Sequence, residues 1–166
     1  MPEYSYFKQE EIFHQADQDI KDGFYEDAVR RLEDLITDDP GFGRAYNHLG
    51  WLYENKFRNS AKAEEFYRKA FEKSPEYPPI YTNYAILLSA LGKYELLEFI
   101  LTQGLQTPGV DKSTMYNEFG IMYEQRGLYD KAIDYYKECG KATLVKEALD
   151  RAIASIERCK TKKQFL

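Results

Sequence analysis

Along this chain the same residue types return every 34 or 35 positions, and that period constrains the fold more than any single motif. One ladder runs Ile12, Tyr46, Tyr81, Tyr116. Beside it run Gln15, Leu49, Tyr84, Phe119, then Ala16, Gly50, Ala85, Gly120, then Asp19, Tyr53, Leu88, Tyr123. A second set gives Ala28, Ala63, Leu97, Ala132, then Leu32, Tyr67, Leu101, Tyr136, then Leu35, Ala70, Gly104, Cys139. Rungs of one copy lie three or four residues apart, the spacing that gathers side chains on one stripe of an α-helix. A period of this length describes a unit of two helices. Neither helix buries its stripe alone, so successive units must stack.

The punctuation agrees with that division. Gly23, Gly92 and Gly127 fall between the two helices of a unit, where a tight turn wants a positive φ. The second unit carries Lys56-Phe57-Arg58-Asn59 there and gains one residue. Pro40, Pro75 and Pro108 follow Asp39, Ser74 and Thr107, and the residue before a proline is pushed out of the helical region, so helices stop there. The Ala or Gly rung reads as a place where two helix backbones approach too closely for a larger side chain.

The most regular copy, Tyr46 to Pro75, reads YNHLGWLYENKFRNSAKAEEFYRKAFEKSP and resembles the tetratricopeptide repeat family. The resemblance implies an all-α fold, a right-handed superhelical α-solenoid of antiparallel helix pairs. It gives a single domain over 1–166, with repeats at about 8–40, 41–75, 76–109 and 110–140 and a capping helix at about 142–159. Residues 1–7 are expected as a frayed aromatic lead-in. Gln15 and Asp19 stand on rungs that are apolar elsewhere, as suits a solvent-facing terminal repeat. In the last helix Val145, Ala148, Leu149, Ala152, Ile153 and Ile156 share one face, expected to seal the last apolar surface and to offer a second copy a place to dimerise.

Composition excludes several functional classes. A net charge of -5 and a pI near 5.2 oppose nucleic-acid binding, which needs a basic surface. No apolar run approaches the roughly 20 residues of a membrane span, and the Met1-Pro2-Glu3 start lacks the layout of a signal peptide, so a cytoplasmic setting is expected. Arg158, Lys160, Lys162 and Lys163 read as a cationic helix end complementing the macrodipole. Cys139 and Cys159 have no metal-ligand spacing and read as small apolar residues. His14 and His48 lie on different units without Cys, Asp or Glu at ligand spacing, and read as surface or packing residues. With no phosphate loop and no nucleophile elbow, no catalytic residue, metal or cofactor is expected.

What remains is binding. The resemblance implies a groove lined by the first helices of successive repeats, and rows one residue off the packing stripe then describe its content. Asp17, Trp51, Ile86 and Ile121 form one row and Phe13, Asn47, Thr82 and Asn117 another, with Arg44, Pro79 and Thr114 at the helix starts and Glu54, Asn55, Ser89, Ala90, Glu124 and Gln125 at the ends. Apolar side chains flanked by amides suit an extended peptide. The expected groove is therefore Arg44, Asn47, Trp51, Asn55, Thr82, Asn83, Ile86, Asn117, Ile121 and Gln125, with Asn83 matching an asparagine that relatives use against peptide backbone. The two-carboxylate clamp of chaperone-binding relatives is not matched. Its Lys, Asn, Asn, Lys and Arg positions fall on Phe13, Asp17, His48, Pro79 and Asn83, or on Asn47, Trp51, Asn83, Thr114 and Glu118. The expected role is a non-enzymatic adaptor for a protein or peptide ligand. The alternatives are a self-associating scaffold and a secretion-type chaperone holding an export substrate.

Overall fold

The computed structural model describes residues 2–165, with side chains from residue 7 onward. Among these residues there are nine helices and no strand: α1 (Pro2–Asp22), α2 (Tyr25–Asp38), α3 (Gly43–Asn55), α4 (Ser60–Lys73), α5 (Pro79–Ala90), α6 (Tyr94–Gln106), α7 (Lys112–Gln125), α8 (Tyr129–Ala142) and α9 (Lys146–Lys163). They group into two compact units, one ending at Asn83 and the other beginning at Tyr84. The stretch expected to be a frayed lead-in is helical from Pro2 onward.

Turn chemistry sets the pairing of helices. Gly23, Gly92 and Gly127 have φ of 86°, 67° and 72°, the left-handed region that costs glycine nothing. In each case the next residue donates its N–H to the carbonyl of one rung, Phe24 to Asp19, Lys93 to Leu88 and Leu128 to Tyr123. The second repeat reaches the same rung, Asn59 donating to Tyr53, but its longer turn puts Arg58 at φ 54°. Asn59 then caps α4 by accepting from the Lys62 amide at 3.1 Å. Second helices end where the prolines require: Asp39, Ser74 and Thr107 close α2, α4 and α6.

In the N-terminal unit Ala16, Ala28, Leu32, Leu35, Phe42, Ala45, Leu49 and Leu52 form one buried cluster, and Tyr46, Ala70 and Ile80 another. The polar rungs of the first repeat are matched by a polar residue opposite. Arg31 donates to Asp19 at 2.7 Å and to Gln15 at 3.2 Å. Its counterpart one repeat on is Phe66, which stacks on Tyr53 with ring centroids 5.4 Å apart. In the C-terminal unit Tyr135 takes that place and stacks on Phe119 at 4.6 Å and Tyr123 at 5.3 Å.

Two sequence readings need correction. The Gly rung is shaped by a tyrosine ring, not by a helix backbone. A Cβ on Gly50 would lie 2.5 Å from the Tyr67 ring, and one on Gly120 2.5 Å from the Tyr136 ring. Both rings are fully buried. The last helix, α9, is turned from its expected face. Ala152, Ser155 and Cys159 are buried, whereas Val145, Leu149 and Ile153 are 57%, 40% and 51% exposed. Small residues let α9 pack closely on α8. Thr143 and Val145 are extended, so α9 starts at Lys146.

Candidate functional site

Two adjoining cavities open on the N-terminal unit. One, of about 270 Å³, is lined by Asp17 and Ile20 of α1, Asn47, His48 and Trp51 of α3, and Tyr77, Pro79 and Asn83. The other, of about 330 Å³, shares Asp17, His48 and Tyr77 and adds Glu10, Phe13, His14 and Arg44. Period explains the meeting. Helices α1, α3 and the start of α5 are the same element repeated, so residues 34 to 36 apart stand side by side, as the Arg44–Glu10 and Asn83–Asn47 pairs do.

Of the expected groove, Asn47, Trp51 and Asn83 line the first of these cavities and Arg44 the second. Asn47 is only 3% exposed, and its side-chain oxygen accepts from the Asn83 amide at 3.2 Å. The amide pair therefore holds two helices in register and leaves less of Asn47 for a ligand than its place in the sequence suggests. Arg44 is ion-paired with Glu10 and sits over the rings of Phe13 and Phe42, 4.9 and 4.7 Å from their centroids. Trp51 is half-buried against the core cluster, with Lys56 5.3 Å from its centroid. Asn55 donates to the Trp51 carbonyl at 3.1 Å, and Thr82 is half-buried. Neither lines these cavities.

In the C-terminal unit Asn117 lines a cavity of about 240 Å³ with Asp111, Ser113, Thr114, Cys139, Thr143, Val145, Ala148 and Arg151. Asn117 also donates to Glu118 at 3.1 Å, a carboxylate 9% exposed whose pKa burial raises. Ile86 is 47% exposed, Gln125 is exposed and Ile121 is half-buried. Both cysteines are free and buried. No group of His, Cys, Asp or Glu able to hold a metal occurs among the described residues, and none of their helices is long and apolar enough to cross a membrane.

Asp17 belongs to one of the groove's expected rows, but His48 and Tyr77, which line the cavities with it, do not. The His48 Nδ1 lies 3.1 Å from the Arg44 carbonyl, which only accepts, so that nitrogen carries the proton. Its Nε2 points at Asp17 Oδ1 across 3.6 Å. Burial holds the His48 pKa below the usual 6.5, while Lys21, donating to Oδ2 of Asp17 at 2.6 Å, holds that carboxyl below its ordinary value. A search confined to one helix misses this pair, because His48 finds its carboxylate on the preceding repeat. The diagonal between ladders, one turn short of the full period, would have found it.

The repeat itself is recognised independently of this geometry. Sequence profiles of the tetratricopeptide repeat match residues 14–78, 66–96 and 113–142. The chain belongs to the tetratricopeptide repeat family. No curated protein matches it in sequence. Solved tetratricopeptide structures share its fold. PilF of Pseudomonas aeruginosa superimposes with a TM-score of 0.79 at 17% identity over 94% of this chain and 69% of its own. YrrB, described as having an unusual peptide-binding site, gives 0.75 at 16% identity over 92% and 76%. MamA gives 0.70 at 17% identity over 94% and 92%. Members of the family act as protein–protein interaction modules, and this chain carries the same fold.

Proposed function

We propose that the chain is a non-enzymatic adaptor that binds an extended segment of a partner protein along the depression formed by α1, α3 and the start of α5. The observation that carries this reading is the pair of adjoining cavities, which join an aromatic anchor, Trp51, to polar groups on three successive first helices. Trp51 is the chain's only tryptophan, a residue type over-represented among side chains that dominate binding energy. The likeness in fold to YrrB is consistent with such a use of the surface. Affinity capture with the folded wild type is expected to retain a partner that the Trp51→Ala variant, matched to it by circular dichroism, binds at least about tenfold more weakly. Equal retention by both proteins would move the binding surface elsewhere.

A further inference from the structure

Resting on that reading, we infer that the segment presents an arginine whose guanidinium enters the N-terminal depression between Asp17 and His48. The site is a pair of acceptors with no proton between them. Asp17 Oδ1 and the unprotonated Nε2 of His48 face each other at 3.6 Å, beyond hydrogen-bonding distance even for a shared proton. Both line the cavity shared with Trp51 and Tyr77. A guanidinium carries five N–H donors in a rigid planar fork and no acceptor, so one face of it satisfies both atoms at once. Its plane also stacks on aromatic rings, and the Trp51 ring already draws the Lys56 ammonium to 5.3 Å.

Neighbouring charges favour a cation over an anion. Arg44 is neutralised by Glu10, and Lys21 by Oδ2 of Asp17. The Lys21 pair joins side chains 61% and 32% exposed at i,i+4 spacing, a class of ion pair that contributes little and yields to a competitor. A ligand carboxylate would meet Asp17 and a neutral imidazole, and the one nearby ammonium outside an ion pair described above, Lys56, already lies over the rings of Tyr25 and Trp51. The acidic balance of the whole chain points the same way.

The test is selection from a displayed library of random peptides on the wild type, on Trp51→Ala and on Asp17→Asn, with the recovered sequences resynthesised. Wild type is expected to enrich arginine at one position. Replacing that arginine by citrulline, its neutral near-isostere, is expected to weaken binding at least about tenfold, and Asp17→Asn to weaken the arginine peptide but not the citrulline one. Recovered peptides without arginine enrichment, or with citrulline tolerated within about twofold, overturn the inference and leave the groove reading standing. Lysine serving as well as arginine overturns the guanidinium assignment. Peptides held equally by Trp51→Ala, or no peptides at all, overturn both readings.

Discussion

The second and fourth repeats contain the same three-residue device and treat it in opposite ways. In each a glycine on the first helix, Gly50 or Gly120, receives a buried tyrosine from the second helix, Tyr67 or Tyr136. In each that tyrosine donates its hydroxyl to a glutamate one turn beyond the glycine, Tyr67 to Glu54 at 2.7 Å and Tyr136 to Glu124 at 2.8 Å. Glu54 has the tyrosine as its partner, and burial raises its pKa. Glu124 is also gripped by Arg158 through two hydrogen bonds of 2.7 Å and by Lys162 at 2.8 Å, and its pKa falls to about 2, chiefly through Arg158. The cationic end of α9 therefore clamps Glu124, a more specific task than complementing a dipole. One repeat motif thus yields either a marginal buried acid or a fastening for the last helix, according to what the following element supplies.

The largest effects come from the glycines. An alanine Cβ at Gly50 or Gly120 meets ring atoms of a fully buried tyrosine at 2.5 Å. Overpacking of about 3 kcal/mol, less about 1 kcal/mol returned by helix propensity, leaves a net loss near 2 kcal/mol in urea unfolding. The first and third repeats show the compensated alternative, Ala16 with Leu32 and Ala85 with Leu101 on the same rungs. Adding Tyr136→Leu to Gly120→Ala is therefore expected to restore most of the loss, since Glu124 keeps its two cations. Tyr67→Leu added to Gly50→Ala should restore less, because it strips Glu54 of the hydroxyl. Equal rescue at both sites would break the contrast between the repeats.

Smaller, and unequal in the two repeats, is the effect of the carboxylates. Glu124→Gln is expected to cost about 1.5 kcal/mol through charge-assisted hydrogen bonds lost in a half-buried site, whereas Glu54→Gln should change stability by less than about 0.5 kcal/mol. The same contrast appears against pH. A depressed pKa means that the unfolded chain takes up the proton first, so the contribution of Glu124 is complete above 4.5 and is lost as the pH falls toward about 2. Glu54 has a raised pKa, so its protonation relieves the folded state over the pH range just above 4.5. Amide hydrogen exchange followed from pH 4.5 down toward about 2 should show α9 loosening with acid while α3 and α4 do not.

The helical scaffold was legible because each rung repeats its own cause: apolar spacing, a glycine at each short turn, a proline after each second helix. The groove was legible only in part. Trp51 and Asn83 announce themselves by leaving the packing stripe, but Asn47 leaves it too and spends its oxygen on Asn83. Asp17 and His48 acquire meaning only from each other, across two repeats and 31 positions, a separation that no ladder of 34 or 35 samples. Arg158 escapes the ladders for another reason: it lies on α9, past the last copy of the repeat, and its partner Glu124 is 34 residues back on another helix.

The finest difference between repeats lies in their turns. Gly23, Gly92 and Gly127 adopt positive φ freely, while the longer turn of the second repeat asks the same of Arg58, at φ 54°. A side chain in that region costs roughly 1–2 kcal/mol, and Arg58 is exposed, so its replacement removes strain without opening a core. Arg58→Gly also loosens the unfolded chain, which returns about 0.5–1 kcal/mol of the gain. The expected net result is a stabilisation of about 0.5–1 kcal/mol, read as a rise of roughly 1–4 °C in the thermal midpoint for a chain of this size. The reverse change, Gly92→Ala, should destabilise by a similar amount, because no atom other than the distant Tyr94 ring tip approaches its Cβ and the strain alone acts. If Arg58→Gly instead lowers the midpoint, the turn is held by the arginine side chain, and its extra residue is a stabilising insertion with no counterpart in the other repeats.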